Sequence, residues 1–87
     1  MVTMSGPKCF VYVLRSLADR TRYYTGVTSE PRFRLEAHNS GRCPHTADGS
    51  PWEIDVLVEF ADERRALAFE RYLKSGSGCA FAKRHFR

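Results

Sequence analysis

The chain has 87 residues, 43% hydrophobic and 13% aromatic, with 14 Lys and Arg against 10 Asp and Glu for a formal net charge of +4. This excludes a disordered chain and is enough for one domain with a modest core, hiding only about 60–65% of the surface that the unfolded chain exposes. No apolar run is long enough to span a membrane, and the opening MVTMSGPK lacks the basic-then-apolar order of a signal peptide, so a cytoplasmic protein with no membrane association is expected.

Residues 1–8 read as a flexible start. CFVYVLRS (9–16) is β-branched and aromatic, hence a strand, and YYTGVT (23–28) is a second. The short polar LADRTR between them predicts an antiparallel hairpin. Ser29 is placed to cap a helix over about 30–40, with Pro31 in its first turn and Gly41 at its end. GRCPHTADGSP (41–51) is loop. In WEIDVLVEF (52–60), Trp52, Ile54, Val56, Val58 and Phe60 alternate with Glu53, Asp55, Leu57 and Glu59, which predicts a strand with one buried and one mostly wet face. Asp62 should cap a helix over roughly 63–75 closed by Gly76, and a short helical tail over 79–86 follows SGSG. The order β-β-α-β-α-α makes an α+β fold in which helices must cover a three-stranded sheet to complete a core.

The three cysteines, Cys9, Cys43 and Cys79, are odd in number and show no Cys-x-x-Cys spacing, which argues against a disulfide framework and a thiolate zinc site. Cys43 and His45, with His38 nearby, could hold a metal in principle, but structural zinc asks for four ligands at recognisable spacing.

Some polar residues do not read as surface. On the second helix Ala66, Phe69 and Leu73 form the apolar stripe, and Glu70 falls only about 60° from its middle. A carboxylate at the margin of a core needs a compensating cation, donor or metal. Either a metal ion or an ion pair with nearby Arg71 or Lys74 meets that need. On the first helix Arg34 and His38 are four apart and share a face, which could be a solvated basic stripe or a place for a phosphate. Tyr12 shares a strand face with Phe10 and Leu14, and Tyr24 shares one with Gly26 and Thr28. A glycine inside a strand weakens pairing unless something approaches its backbone closely. Excess positive charge, including Arg32, Lys83, Arg84 and Arg87, raises the local concentration of polyanions and puts nucleic acid first among candidate partners.

In chain order these residues are FVYVL (10–14), YTG (24–26), Arg34-x-x-x-His38-Asn39, His45-Thr46, Glu70 and SGSG (75–78). Together they resemble the GIY-YIG nuclease superfamily over nearly the whole chain, 9–86. The likeness is to its small free-standing bacterial members, which resemble the catalytic domain of the excinuclease C subunit and of some homing endonucleases. The resemblance implies a small three-stranded antiparallel sheet flanked by helices. It matches Tyr12 and Tyr24 to the motif tyrosines, Arg34 to the family arginine, His38 to a site histidine of some members and Glu70 to the ligand of a single Mg²⁺ or Mn²⁺. His45, Lys74, Lys83 and Arg84 are then candidate nucleic-acid contacts. Three departures stand out: Phe10 replaces the glycine that opens the first motif, Cys79 stands where relatives often carry a basic residue, and an asparagine used by some homing members has no clear equivalent.

The resemblance thus implies a metal-dependent DNA endonuclease. Tyr12 would act as base or proton relay, aided by Tyr24 or His38, and Arg34 would neutralise charge at phosphorus. With few side chains spare for reading base edges, sequence specificity should be weak and selection should rest on DNA structure, in repair or processing. A monomer or weak homodimer is expected, with targeting by a partner protein possible. The alternative is a module that binds DNA or RNA on the same basic face without turnover.

Overall fold

The computed structural model describes residues 8–87, so seven of the eight residues expected to be flexible lie outside the described part. Three strands, β1 (Cys9–Ser16), β2 (Tyr23–Thr28) and β3 (Trp52–Phe60), form one antiparallel sheet in the order β2-β1-β3. The helices are α1 (Pro31–Asn39), α2 (Glu63–Leu73) and α3 (Gly76–His85), and a single 3₁₀ turn, Ala47–Gly49, interrupts the loop before β3. This is the expected α+β arrangement.

The central strand β1 alternates between two apolar layers. Cys9, Val11 and Val13 join Ala66 and Leu73, with Val56, Phe60, Phe69, Phe81 and Phe86 packed around them. Tyr12 and Leu14 project to the other side, where they meet Trp52, Tyr24, Leu35 and Ile54. Thus α2 and α3 cover one face of the sheet and α1 covers the other.

β3 corrects the expectation of one buried face. Val13 pairs with Val56, but Leu14 pairs with Ile54, which leaves Asp55 as an extra residue in the strand. Such a bulge shifts the side-chain alternation by one. Val56 and Phe60 therefore pack under α2 and α3, whereas Trp52 and Ile54 pack under α1.

The helix ends differ from expectation in two places. Ser29 does not cap α1: Glu30 holds the cap position without a side-chain bond, and the Glu30 N–H donates to Thr28 Oγ1 (3.0 Å). With Pro31 fixed at the first helical position, Ser29 lies one residue too early. Gly41, at φ 81°, does follow the end of α1. Asp62 caps α2 as expected, accepting from the Arg65 N–H at 2.8 Å. Gly76, however, opens α3 and does not close α2. Ser75 makes the junction, since its hydroxyl donates to the Tyr72 carbonyl (2.6 Å) and accepts from the Gly78 N–H (3.1 Å). A Cβ on Gly78 would sit 1.7 Å from the Tyr72 carbonyl oxygen, so the tight α2–α3 corner requires glycine there.

Candidate active site

On the α1 side of the sheet the ring of Tyr12 lies across β2 above Gly26, its Cα partner in the β1–β2 ladder. A Cβ on Gly26 would fall 2.5 Å from the Tyr12 hydroxyl oxygen, so glycine is the residue that lets the ring lie down here. The close approach expected at this glycine is made by Tyr12 itself.

α1 brings the next groups. Arg34 and His38, one turn apart, both turn toward the sheet, and His38 is 1% exposed. The Tyr12 hydroxyl and His38 Nε2 are 3.0 Å apart, and His38 Nδ1 is 2.7 Å from Thr46 Oγ1. The Thr46 hydroxyl in turn donates to the Cys43 carbonyl at 3.3 Å. One tautomer satisfies every member of this chain: Nδ1–H donates to Thr46, and bare Nε2 accepts the Tyr12 proton. Burial, and then the positive charge of Arg34, pull the His38 pKa below the usual imidazole value, which keeps the ring neutral.

Burial pushes the Tyr12 phenol above its ordinary range, and the neighbouring Arg34 guanidinium partly offsets that rise. The same contact holds Arg34 more firmly protonated. Yet Arg34 Nε is buried without a hydrogen-bond partner. A buried donor left without a partner is costly even on a partly exposed guanidinium, and an anionic oxygen is its natural complement.

Tyr24 closes the cluster from β2, its ring centroid 4.9 Å from that of His38 and 6.3 Å from that of Tyr12. Lys74 Nζ lies 6.0 Å from the Tyr24 ring centroid and pairs with Glu70 one turn earlier on α2. Glu70, with its side chain 19% exposed, thus reaches the site through Lys74, and the ion pair considered for it exists. Tyr12, Tyr24, Arg34 and His38 therefore form one contact set, with Lys74 and Glu70 at its edge. The other predicted contacts lie outside it: His45 is exposed, as are Lys83 and Arg84 in the last turn of α3.

Among the described residues no three His, Cys, Asp or Glu side chains gather as metal ligands. Both nitrogens of His38 are engaged, so it is not free to join Cys43 and His45. One half-buried carboxylate, Glu70, suits a hard divalent ion that keeps most of its waters and shares a substrate phosphate, and does not suit zinc.

Sequence reasoning assigned no role to two residues. Thr46 is buried and orients His38, while its carbonyl accepts from Trp52 Nε1 at 2.8 Å. Asn39 bonds both backbone groups of Trp52. The one available signal is a hydroxyl directly after His45 in the loop and an amide directly after His38 at the end of α1.

A family model described as the GIY-YIG catalytic domain matches residues 8–80. The chain belongs to the GIY-YIG family. Curated relatives of this GIY-YIG chain include the structure-specific endonuclease subunit SLX1 of Candida dubliniensis, 38% identical over 82 residues, covering 86% of this chain and 27% of the relative. The slx1 subunit of Aspergillus niger is 45% identical over 65 residues, 68% of this chain and 15% of that protein. The SLX1 subunit of Chaetomium globosum is 39% identical over 66 residues, 69% of this chain and 20% of its own length. These relatives are fungal and do not bear out the expected likeness to small bacterial members. The chain spans between 15% and 27% of their lengths. No helix among the described residues is long and apolar enough to cross a membrane.

Proposed function

We propose that the chain is the catalytic domain of a divalent-metal-dependent DNA endonuclease that selects its substrate by structure more than by sequence, in repair or processing. The observation that carries this reading is the buried, unpartnered Nε of Arg34 beside Tyr12. A binding surface has no need of a guanidinium with a buried, unpaired donor set beside a tyrosine–histidine pair, whereas phosphoryl transfer needs a fixed positive charge where the phosphate gains negative charge.

Arg34 receives a non-bridging phosphate oxygen and holds it while charge grows there. Tyr12 gives its proton to His38 Nε2 as it receives one from the attacking water. The neutral ring of His38 makes that transfer available, and Thr46 fixes its orientation. Because burial raises the Tyr12 pKa, the phenolate does not stand preformed, and proton movement is coupled to attack. Tyr24 packs against His38 and confines the water. Glu70 would hold one Mg²⁺ or Mn²⁺, with Lys74 released toward the DNA backbone. When bound, the ion supplies Lewis-acid polarisation of the phosphate and stabilises the leaving oxygen.

The relatives are named as subunits, which supports an additional protein partner for targeting.

The test is a cleavage assay on labelled duplex, single-stranded, flap and branched DNA with Mg²⁺, Mn²⁺ or EDTA, run beside Glu70→Gln. Metal-dependent products that vanish in the variant are expected. Binding without products on any substrate would favour the non-catalytic module, and an active Glu70→Gln protein would remove the metal role from Glu70.

A further inference from the structure

Around the edge of β2 from Tyr12, a groove of about 330 Å³ opens between the sheet and α3. Tyr24 and Phe86, both partly exposed, give it an apolar floor above the buried Val13 and Leu73, and Lys74 and Arg87 stand among its lining residues. Among the described residues no Asp or Glu side chain lines it. Arg87 is held flat, its guanidinium 3.8 Å from the centroid of the Tyr23 ring. The groove shares Tyr24 and Lys74 with the site described above, so whatever fills it lies beside the reacting phosphate.

An aromatic and apolar floor under a cationic rim suits a nucleotide whose base has left the stack. A paired duplex offers phosphates and groove edges only, and would leave the partly exposed rings of Tyr24 and Phe86 without a stacking partner. We propose that this groove takes the unpaired nucleotide next to the scissile phosphate, its base against the floor and its phosphate at Lys74 and Arg87. The proposal rests on the nuclease reading and deepens it: branched or frayed DNA is preferred because it can supply that base without first breaking a pair.

Cys79 lines the same groove and is exposed, whereas Cys43 lies outside it, so the two thiols report on occupancy. The experiment is iodoacetamide labelling in EDTA, read by peptide mass spectrometry, with flap, single-stranded or blunt duplex DNA at equal occupancy set by anisotropy. Flap and single-stranded DNA should slow Cys79 labelling about fivefold or more and blunt duplex should leave it unchanged, while Cys43, beside Tyr12 and Arg34, reports occupancy of the site itself by any bound DNA. Cys79→Trp, which fills the groove from an exposed helical position, should weaken flap binding about tenfold and leave duplex binding as it was. Bound DNA that fails to protect Cys79, or a duplex that protects it equally, overturns the groove assignment and leaves the nuclease reading standing. Failure of every DNA to bind removes both.

Discussion

The amide of Asn39 grips the backbone of Trp52 at two points, accepting from its N–H at 2.6 Å and donating to its carbonyl at 3.0 Å. This pair ties the last turn of α1 to the start of β3, one residue from His38. Asn39→Ala should cost about 1–3 kcal/mol of stability, since it strands both Trp52 groups. Cleavage should fall as well, because His38 loses its anchor. Chemical denaturation beside a cleavage assay reads the two effects, and an unchanged rate would show that His38 is positioned without Asn39.

Arg34→Ala should lower the cleavage rate by about 10²–10³, the scale of losing a donor to a developing oxyanion. Arg34→Lys should recover little of it, because an ammonium cannot copy the fixed fork of a guanidinium. Single-turnover kinetics on both variants measure this. Full turnover in Arg34→Ala would return the residue to a purely structural role.

The buried His38 gives a signed pH effect. Its folded pKa lies below that of the free ring, so its contribution to stability is complete above the unfolded value of about 6.5 and is lost as pH falls through the folded pKa. The slope is at most about 1.4 kcal/mol per pH unit for one proton. The cleavage rate should fall over the same acidic range, because protonated Nε2 cannot accept from Tyr12. His38→Gln should flatten the acid limb in both stability and rate; an acid limb that persists in the variant belongs to another group.

Gly26→Ala places a methyl carbon where the Tyr12 hydroxyl lies. It should destabilise the fold by about 1–3 kcal/mol and lift Tyr12 off His38. Thermal melting and activity report the two parts, and a stable, fully active Gly26→Ala protein would mean that Tyr12 has another resting position.

Much of the fold is legible in the sequence because its signals are local. β1, β2 and β3 fall on the residues that β-branched and aromatic runs mark, and Asp62 announces α2 by its side-chain chemistry. Of the site, Arg34 and His38 show by spacing and Gly26 by being out of place in a strand. The missed features depend on contacts across the chain. The oddity of Glu70 on the helical wheel is answered by Lys74 one turn later, but its spacing does not choose between a salt partner and a metal. Thr46 lies in an irregular loop with no periodicity to expose it. The bulge at Asp55 leaves the apolar alternation of 52–60 intact in the sequence, because both faces of the sheet are apolar. Ser75 could be read as a polar linker until its two bonds to neighbouring helices are seen.

The extra residue in β3 makes the chain far less tolerant of a change in length than of a change in identity there. Asp55 is exposed, and replacing it leaves the phase of the strand alone. Removing it would rotate Trp52 and Ile54 out from beneath α1, and with Trp52 would go the indole hydrogen bond to Thr46 and the anchor of Asn39. A deletion at an exposed aspartate would therefore dismantle the histidine's support beneath α1.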